Sequence, residues 1–355
     1  MAASEPAQQH LTRVTAADGT DIAVASVGTG RPVVYVSGWL SHLERGWQLA
    51  EERAFYEDLA HGCRLLRYDR AGCGMSGPAR QPPSLAYELE QLAAVVAPLG
   101  PEPFDLIGVS LGALVAVAWA AAHPETVRRL VLYGGWAWGA EVSPPSAREH
   151  VLALVGSHWG LGSDVLTDLF APDASAAART EFGRYQRAAS DAATAQSLLA
   201  LSYALDVRAL LPQVRTPTLV VHRERDRAAP IAQAEALAHG IPDAEFVVLP
   251  GRSHLPWAGD AAALAATIRR YLGLRAIRTP AGTLTARQRE VAALVSEGRT
   301  NREIGERLGI EERSAEGHVE RIRLRLGLRS RAQVAAWWTA QGEWAGERPG
   351  ESPRP

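Results

Sequence analysis

Lysine is absent from the chain: all 37 basic side chains are arginine. The bias reads as genomic base composition and carries no functional assignment. Cysteine is scarce. Cys63 and Cys73 fall in different elements and make no metal-type spacing, so no metal and no other cofactor is expected, and a reducing cytoplasm is the simplest setting. No run is long and apolar enough to cross a bilayer, and Met1–His10 holds an acid and no apolar leader core, so no membrane partner is expected. A strong charge of one sign is missing as well. With a formal net charge of −2, any contact with nucleic acid has to come from a local patch. What is present is apolar content: 47% hydrophobic residues over 355 positions can fill a sizeable core, and the length favours two domains.

Residues Leu11–Gly28 alternate apolar and polar on both sides of Asp18-Gly19, which predicts a β-hairpin. Strands follow at Pro32–Val36, Arg64–Tyr68, the run before Ser110, Arg129–Tyr133, Thr216–His222 and Glu245–Leu249. Helical patterns separate them, through Trp47–Ala60, about Ser84 to Leu99, and Ala261–Tyr271. This alternation predicts an α/β fold with a mostly parallel sheet covered on both faces. Between Gly134 and Arg215 the strand signal vanishes, and the alanine-rich sequence reads as a helical cap, about 135–215, inserted over the sheet. The first domain is thus read as 1–274, followed by a linker over 275–283, a small all-α domain over 284–340, and a Gly-, Pro- and Glu-rich tail over 341–355 read as disordered.

The stretch Gly108-Val109-Ser110-Leu111-Gly112 stands between a buried strand and the small-residue helix Ala113–Ala122. In that context a Gly-x-Ser-x-Gly pattern places the serine hydroxyl at the tip of a sharp turn, beside the positive end of a helix dipole. A serine needs a base, and the base needs an orienting group. Asp226 follows the strand Thr216–Val221, and His254 follows the strand ending at Leu249. Both lie just past carboxyl ends of strands, where sites form in open α/β sheets.

On these residues, with Tyr68-Asp69-Arg70, Gly72, Gly74 and Ser76, positions 11–274 resemble the α/β-hydrolase superfamily. The resemblance implies a catalytic Ser110, Asp226 and His254, with the backbone N–H groups of Leu111 and Trp39 as the oxyanion hole. The usual His-Gly before the latter position is Ser37-Gly38 here. Trp136, Trp138, Trp159 and Trp257 are expected to line an aromatic substrate pocket for a small apolar ligand.

From Leu284 the sequence turns into short helices, about 286–297, 301–308, 312–325 and 331–340, with capping-box spacing at Thr285/Gln288, Thr300/Glu303 and Ser330/Gln333. Arginines outnumber glutamates by three over Leu284–Trp338, 11 against 8. Leu284–Val291, Gly298, Asn301, Glu303, Ile304, Leu308, Gly309, His318, Ile322, Leu326-Gly327 and Ser330-Arg331 resemble the LuxR-type helix-turn-helix domain. That resemblance implies double-stranded DNA as partner, a homodimer, and a recognition helix at about Glu312–Arg325. Glu316, Gly317 and Glu320 fall on the reading face, with Ala315 assigned there too, while Arg302, Arg313, Arg321 and Arg325 are the candidates for phosphate contacts. The pairing of domains leads to the expectation of a transcriptional regulator that senses, and hydrolyses, a small ester, lactone or related molecule. A serine hydrolase with an autoregulatory DNA-binding domain and a catalytically vestigial receptor stay open as alternatives.

Overall fold

A computed structural model of the protein describes residues 8–274, 284, 286–326 and 328–344. The expected linker 275–283, Thr285 of the first capping box, Gly327 and the tail beyond 344 lie outside the described residues. The chain forms two compact units, residues 1–276 and 277–355.

In the first unit, β1 (His10–Thr15) and β2 (Asp21–Gly28) pair as the expected hairpin. Asp18 accepts from the Thr20 N–H at 2.9 Å across the turn. Then come β3 (Pro32–Val36), α1 (Leu43–Gln48), α2 (Ala50–Ala60), β4 (Arg64–Tyr68) and α3 (Leu85–Val96). The single helix read through Trp47–Ala60 is in fact two. Leu49 is extended at φ −72°, ψ 116°, and its N–H closes the first helix on Arg45 and Gly46. The chain continues through β5 (Phe104–Val109), α4 (Leu111–Ala122) and β6 (Val127–Tyr133), then the cap helices α5 (Pro145–Ser157), α6 (Trp159–Phe170), α7 (Ala176–Ala189) and α8 (Ala192–Ala204). It returns to the sheet with β7 (Thr218–Arg223), α9 (Ile231–Gly240), β8 (Glu245–Leu249) and α10 (Ala261–Tyr271). The strand expected from Thr216 starts two residues later, beyond Pro217, which has no N–H for a ladder.

The eight strands among the described residues form one sheet in the order β1-β2-β4-β3-β5-β6-β7-β8. Pairing is antiparallel at β1-β2 and β2-β4 and parallel from β4 to β8. Successive side chains serve opposite faces. Val34, Val36 and Leu106 enter one core with α3, α4 and the cap, while Val33, Tyr35 and Ile107 enter another with α2 and α10. The parallel order brings the carboxyl ends of β5, β7 and β8 to one edge, where the loops after them carry Ser110, Asp226 and His254. Cys63 and Cys73 are both buried and free.

The second unit consists of α11 (Ala286–Ser296), α12 (Asn301–Leu308), α13 (Glu312–Leu326) and α14 (Arg331–Trp344). The last runs four residues past the expected end, so 341–344 are helix and not tail. Thr300 and Glu303 make a full capping box. At Ser330 only half of one forms: its Oγ accepts from Gln333 N–H at 3.2 Å, whereas the Gln333 side chain takes the N–H of Arg329. Ile304, Ala315, Val319, Ile322 and Val334 make the core of this unit with residues of α11. Ile304 is fully buried, and Ile304→Ala is expected to destabilise the unit by about 2–5 kcal/mol through lost contacts and a residual cavity. Urea unfolding of the whole chain followed by circular dichroism reads this; a loss below about 1 kcal/mol would mean the site collapses around the smaller side chain.

Candidate active site and nucleic-acid interface

Ser110 sits at φ 55°, ψ −125°, a conformation that ordinary residues avoid. Its N–H is held by the carbonyl of Tyr133 at 2.9 Å. The flanking glycines are required by space. A Cβ on Gly108 would lie 2.5 Å from the Gly112 carbonyl oxygen and 2.7 Å from Ala113 Cα, and one on Gly112 would run into the Val36 and Ser37 carbonyls. Strand β5 and helix α4 therefore meet at backbone distance, with Leu111 as the first helical residue.

His254 bridges the three loops. Its Nε2 lies 2.9 Å from Ser110 Oγ and its Nδ1 lies 2.8 Å from Asp226 Oδ2. An ionised carboxylate only accepts, so Nδ1 carries the proton and Nε2 presents a lone pair to the serine hydroxyl. Burial works against the charge on Asp226, yet His254, His222 and the amide of Ala228 hold its carboxyl below the usual carboxylate range. Oδ1 accepts from Ala228 N–H at 2.8 Å and Ala229 N–H at 3.3 Å. His222, buried behind it, has its pKa pushed down by burial, and its Nε2 lies 2.8 Å from the Ala229 carbonyl.

Two buried arginines hold the loops, and neither was a candidate from the sequence. Arg223 donates to the carbonyls of Ser253 at 3.1 Å and Pro256 at 3.4 Å, fixing the residues on either side of His254 and Leu255. Arg70 donates to the Gly38 carbonyl and, at 3.2 Å, to the Ser37 carbonyl, and is itself paired with buried Glu88 at 2.9 Å. Ser37-Gly38-Trp39 thus gets its support from below, through backbone oxygens. Gly38 faces the serine: a Cβ there would reach ordinary contact with it, 3.4 Å from Ser110 Cβ. Asp69 completes the base of the site by accepting from Ser41 Oγ at 2.7 Å, Leu43 N–H at 3.0 Å and Met75 N–H at 2.9 Å.

A cavity of about 50 Å³ opens on Ser110 and His254, with Trp39, Phe170, Tyr185 and Trp257 among its walls. Of the four tryptophans expected to line it, only Trp257 does. Trp136 is buried in the core and donates to the Ser202 carbonyl at 3.2 Å; Trp138 lies under the Arg208 guanidinium at 4.0 Å; Trp159 stands behind Trp39, edge to face at 6.0 Å, and donates to Ser190. Each satisfies its indole or its ring within the fold, which sequence position near the cap does not reveal. The cavity also has an acid that sequence reasoning missed. Glu52 on α2 is buried, and burial pushes its carboxyl up to about 7, with Arg67 and the Tyr56 hydroxyl pulling the other way.

In the small unit, Gly309 is left-handed at φ 63°, ψ 37° and turns α12 into α13. Gly305 admits the turn, since a Cβ there would be 2.6 Å from the Ile310 carbonyl oxygen. Along α13, Ala315, Val319 and Ile322 face the core, and Arg313, Glu316, Glu320 and Arg321 are exposed with Gly317 half-buried between them. Ala315 is therefore a core residue and not part of the reading face. Glu320 pairs with Arg323 at 2.6 Å, and Arg325 reaches back to Gln288 Oε1 at 2.5 Å. Arg302 on α12 is well exposed, 3.9 Å from Glu306.

Residues 31–257 match the family described as alpha/beta hydrolase fold. The chain belongs to the α/β-hydrolase family. Residues 282–338 match the bacterial regulatory proteins of the luxR family, so a LuxR-type DNA-binding domain follows the hydrolase domain. The chain is 28% identical over 251 residues to the pimeloyl-(acyl-carrier protein) methyl ester esterase of Nitrosomonas europaea, covering 66% of this α/β hydrolase and 93% of that protein. It is 28% identical over 233 residues to the putative carbamate hydrolase RutD of Azorhizobium caulinodans, covering 64% and 85%. An esterase from Exiguobacterium antarcticum, 22% identical, superposes with a TM-score of 0.65 over 74% of this chain and 99% of that one, which speaks for the fold. No helix among the described residues is long and apolar enough to cross a membrane.

The raised carboxyl of Glu52 leads to the expectation that the stability of this α/β hydrolase depends on pH. Its carboxyl is raised from 4.5 to about 7 on folding, so its favourable contribution is complete below pH 4.5 and is lost as the pH rises through 7. Glu52→Gln cannot ionise, and its melting temperature relative to wild type is expected to climb between about pH 5 and about pH 8. Parallel melting profiles over that window would show that Glu52 does not titrate there.

Proposed function

We propose that the protein is a LuxR-type transcriptional regulator whose hydrolase domain binds and hydrolyses a small ester, lactone or related ligand through Ser110, His254 and Asp226. The reading is carried by the pair of hydrogen-bond distances, 2.9 and 2.8 Å, that join a strained serine on a cavity wall to a buried carboxylate through one imidazole. In this mechanism Ser110 Oγ attacks the carbonyl carbon while His254 Nε2 takes the hydroxyl proton, and Asp226 stabilises the imidazolium. The negative oxygen of the tetrahedral intermediate is met by the N–H groups of Leu111 and Trp39. Collapse releases the alcohol, protonated by His254. Water then enters, gives its proton to the same nitrogen and frees the acid from the acyl-serine. The small cavity favours a short acyl group.

The DNA-binding domain would act as a homodimer in the cytoplasm, with α13 in the major groove. Glu316 and Gly317 would face base edges, and Arg302, Arg313 and Arg321 would face phosphates; Arg325, engaged by Gln288, is assigned none. Ligand in the cavity alters operator binding only to the extent that it binds the two DNA-affinity states unequally.

Two measurements test this function. Hydrolysis of p-nitrophenyl acetate and butyrate should fall by a factor on the order of 10³ or more in Ser110→Ala, and by about 10⁴ in Asp226→Asn, with the fold intact. Turnover that survives Ser110→Ala in full would remove the serine mechanism. For DNA, Arg321→Ala should weaken all duplexes alike and lower the salt slope by about 1, whereas Glu316→Ala should relax preference at one base pair by about 1–3 kcal/mol. Uniform weakening by Glu316→Ala would take that residue off the reading face.

A further inference from the structure

The cavity wall that holds Ser110 and His254 also holds Glu52, Tyr35, Tyr56 and Tyr185. Glu52 comes from α2, and its residue is only 2% exposed. One carboxyl oxygen, Oε1, accepts from the Tyr56 hydroxyl at 3.0 Å. The other, Oε2, is buried with no hydrogen-bond partner among the described residues. The carboxyl lies against Gly46, where a Cβ would come within 2.7 Å of Oε1, 2.9 Å of Cδ and 3.0 Å of Oε2. Arg67, the cation that acts on Glu52, lies over the Tyr56 ring at 3.9 Å and donates through Nη2 to Gln9 at 2.6 Å, while its Nε is buried without a partner among the described residues.

A buried acid with one oxygen unpaired is expensive in free energy, on the order of 1–3 kcal/mol for the missing bond alone. A role confined to the fold does not call for that oxygen.

We propose that the ligand carries a hydroxyl group on a short chain, and that Glu52 is the specificity-determining residue that receives it at Oε2. This rests on the reading of the cavity as the ligand site given above. The choice of hydroxyl follows from donor and acceptor arithmetic. Glu52 is lifted into the range where the neutral and ionised forms coexist near neutrality. A hydroxyl donates to the ionised form and accepts from the neutral one, as an amide also does with a larger, planar group. An ammonium pairs with the ionised form only and would share the site with Arg67. A carboxylate or ketone pairs with the neutral form only. The cavity volume of about 50 Å³ has room for a few water-sized groups, which limits the chain that bears the hydroxyl.

The experiment uses the full chain and two readouts. Binding of 2-pentanone and of each enantiomer of 4-hydroxy-2-pentanone is followed through tryptophan fluorescence, since Trp39 and Trp257 line the cavity. Hydrolysis is followed with methyl butanoate against methyl 3-hydroxybutanoate, and with propyl butanoate against 2-hydroxyethyl butanoate to place the hydroxyl on the alcohol side. Wild type is expected to prefer one hydroxylated member by about tenfold, in Kd or in kcat/KM. Glu52→Leu should bring that ratio to about one or reverse it, and Glu52→Gln, which keeps a donor and an acceptor, should retain part of it. A wild-type ratio of one in every pair overturns the proposal without any variant, and so does a preference that persists in Glu52→Leu. Hydroxyl selection in binding, kept in Ser110→Ala and with no turnover in wild type, would sink the hydrolase mechanism and leave this proposal standing. Turnover that needs Ser110 yet treats both members of each pair alike does the reverse.

Discussion

The site depends on one backbone residue held where its side chain does not want it. Ser110 at φ 55° exists because β5 and α4 meet through Gly108 and Gly112, each with another backbone at the place a Cβ would fill. Strain of this kind persists only when the surroundings over-determine it. Here the Tyr133 carbonyl adds to the glycine contacts by holding the Ser110 N–H. Had the turn relaxed, the hydroxyl would leave the line to His254, and the cavity would open on backbone.

Around that turn, charge is used to fasten loops. Arg70 and Arg223 are both almost fully buried, and each spends its planar fork on carbonyl oxygens of the loop next to the site. A guanidinium suits this task because it presents several donors in fixed directions and stays protonated when buried. Arg70 is balanced by Glu88, and removing one member of such a pair would leave the other buried and uncompensated. Asp226 is treated differently. It is kept ionised by His254 and by two amides, so that the imidazole it faces is fixed in tautomer as well as in place.

Much of this was legible in the sequence, for identifiable reasons. The alternation of strands and helices gave the parallel sheet, and the glycines around Ser110 mark a turn that few other residues permit. Asp226 and His254 each follow a short apolar strand, so their position at the carboxyl edge came with the topology. The loop-holding role of the buried arginines was not legible, even with Arg70 inside a recognised motif, because their partners lie far along the chain: 18 residues separate Arg70 from Glu88, and 30 and 33 separate Arg223 from Ser253 and Pro256. The tryptophans failed for the opposite reason. Nearness in sequence to the cap suggested a common pocket, yet the indole N–H groups of Trp136 and Trp159 find carbonyls in the fold and Trp138 stacks under Arg208. Ala315 was misplaced by the phase of α13, which turns it toward Ile304 and Val291 in the core.

The missing lysines and the two hidden thiols together give the chain an unusual chemical silence. With no amine side chain anywhere, activated esters find no lysine to acylate. Cys63 and Cys73 offer little competition, for burial pushes their thiols up to about 11 and about 12 and leaves them protonated at neutral pH. Apart from the chain's terminal amine, an acyl group that stays on the protein after exposure to such a reagent has few places to be, which makes the mass of the intact chain a low-background count of acylated serine.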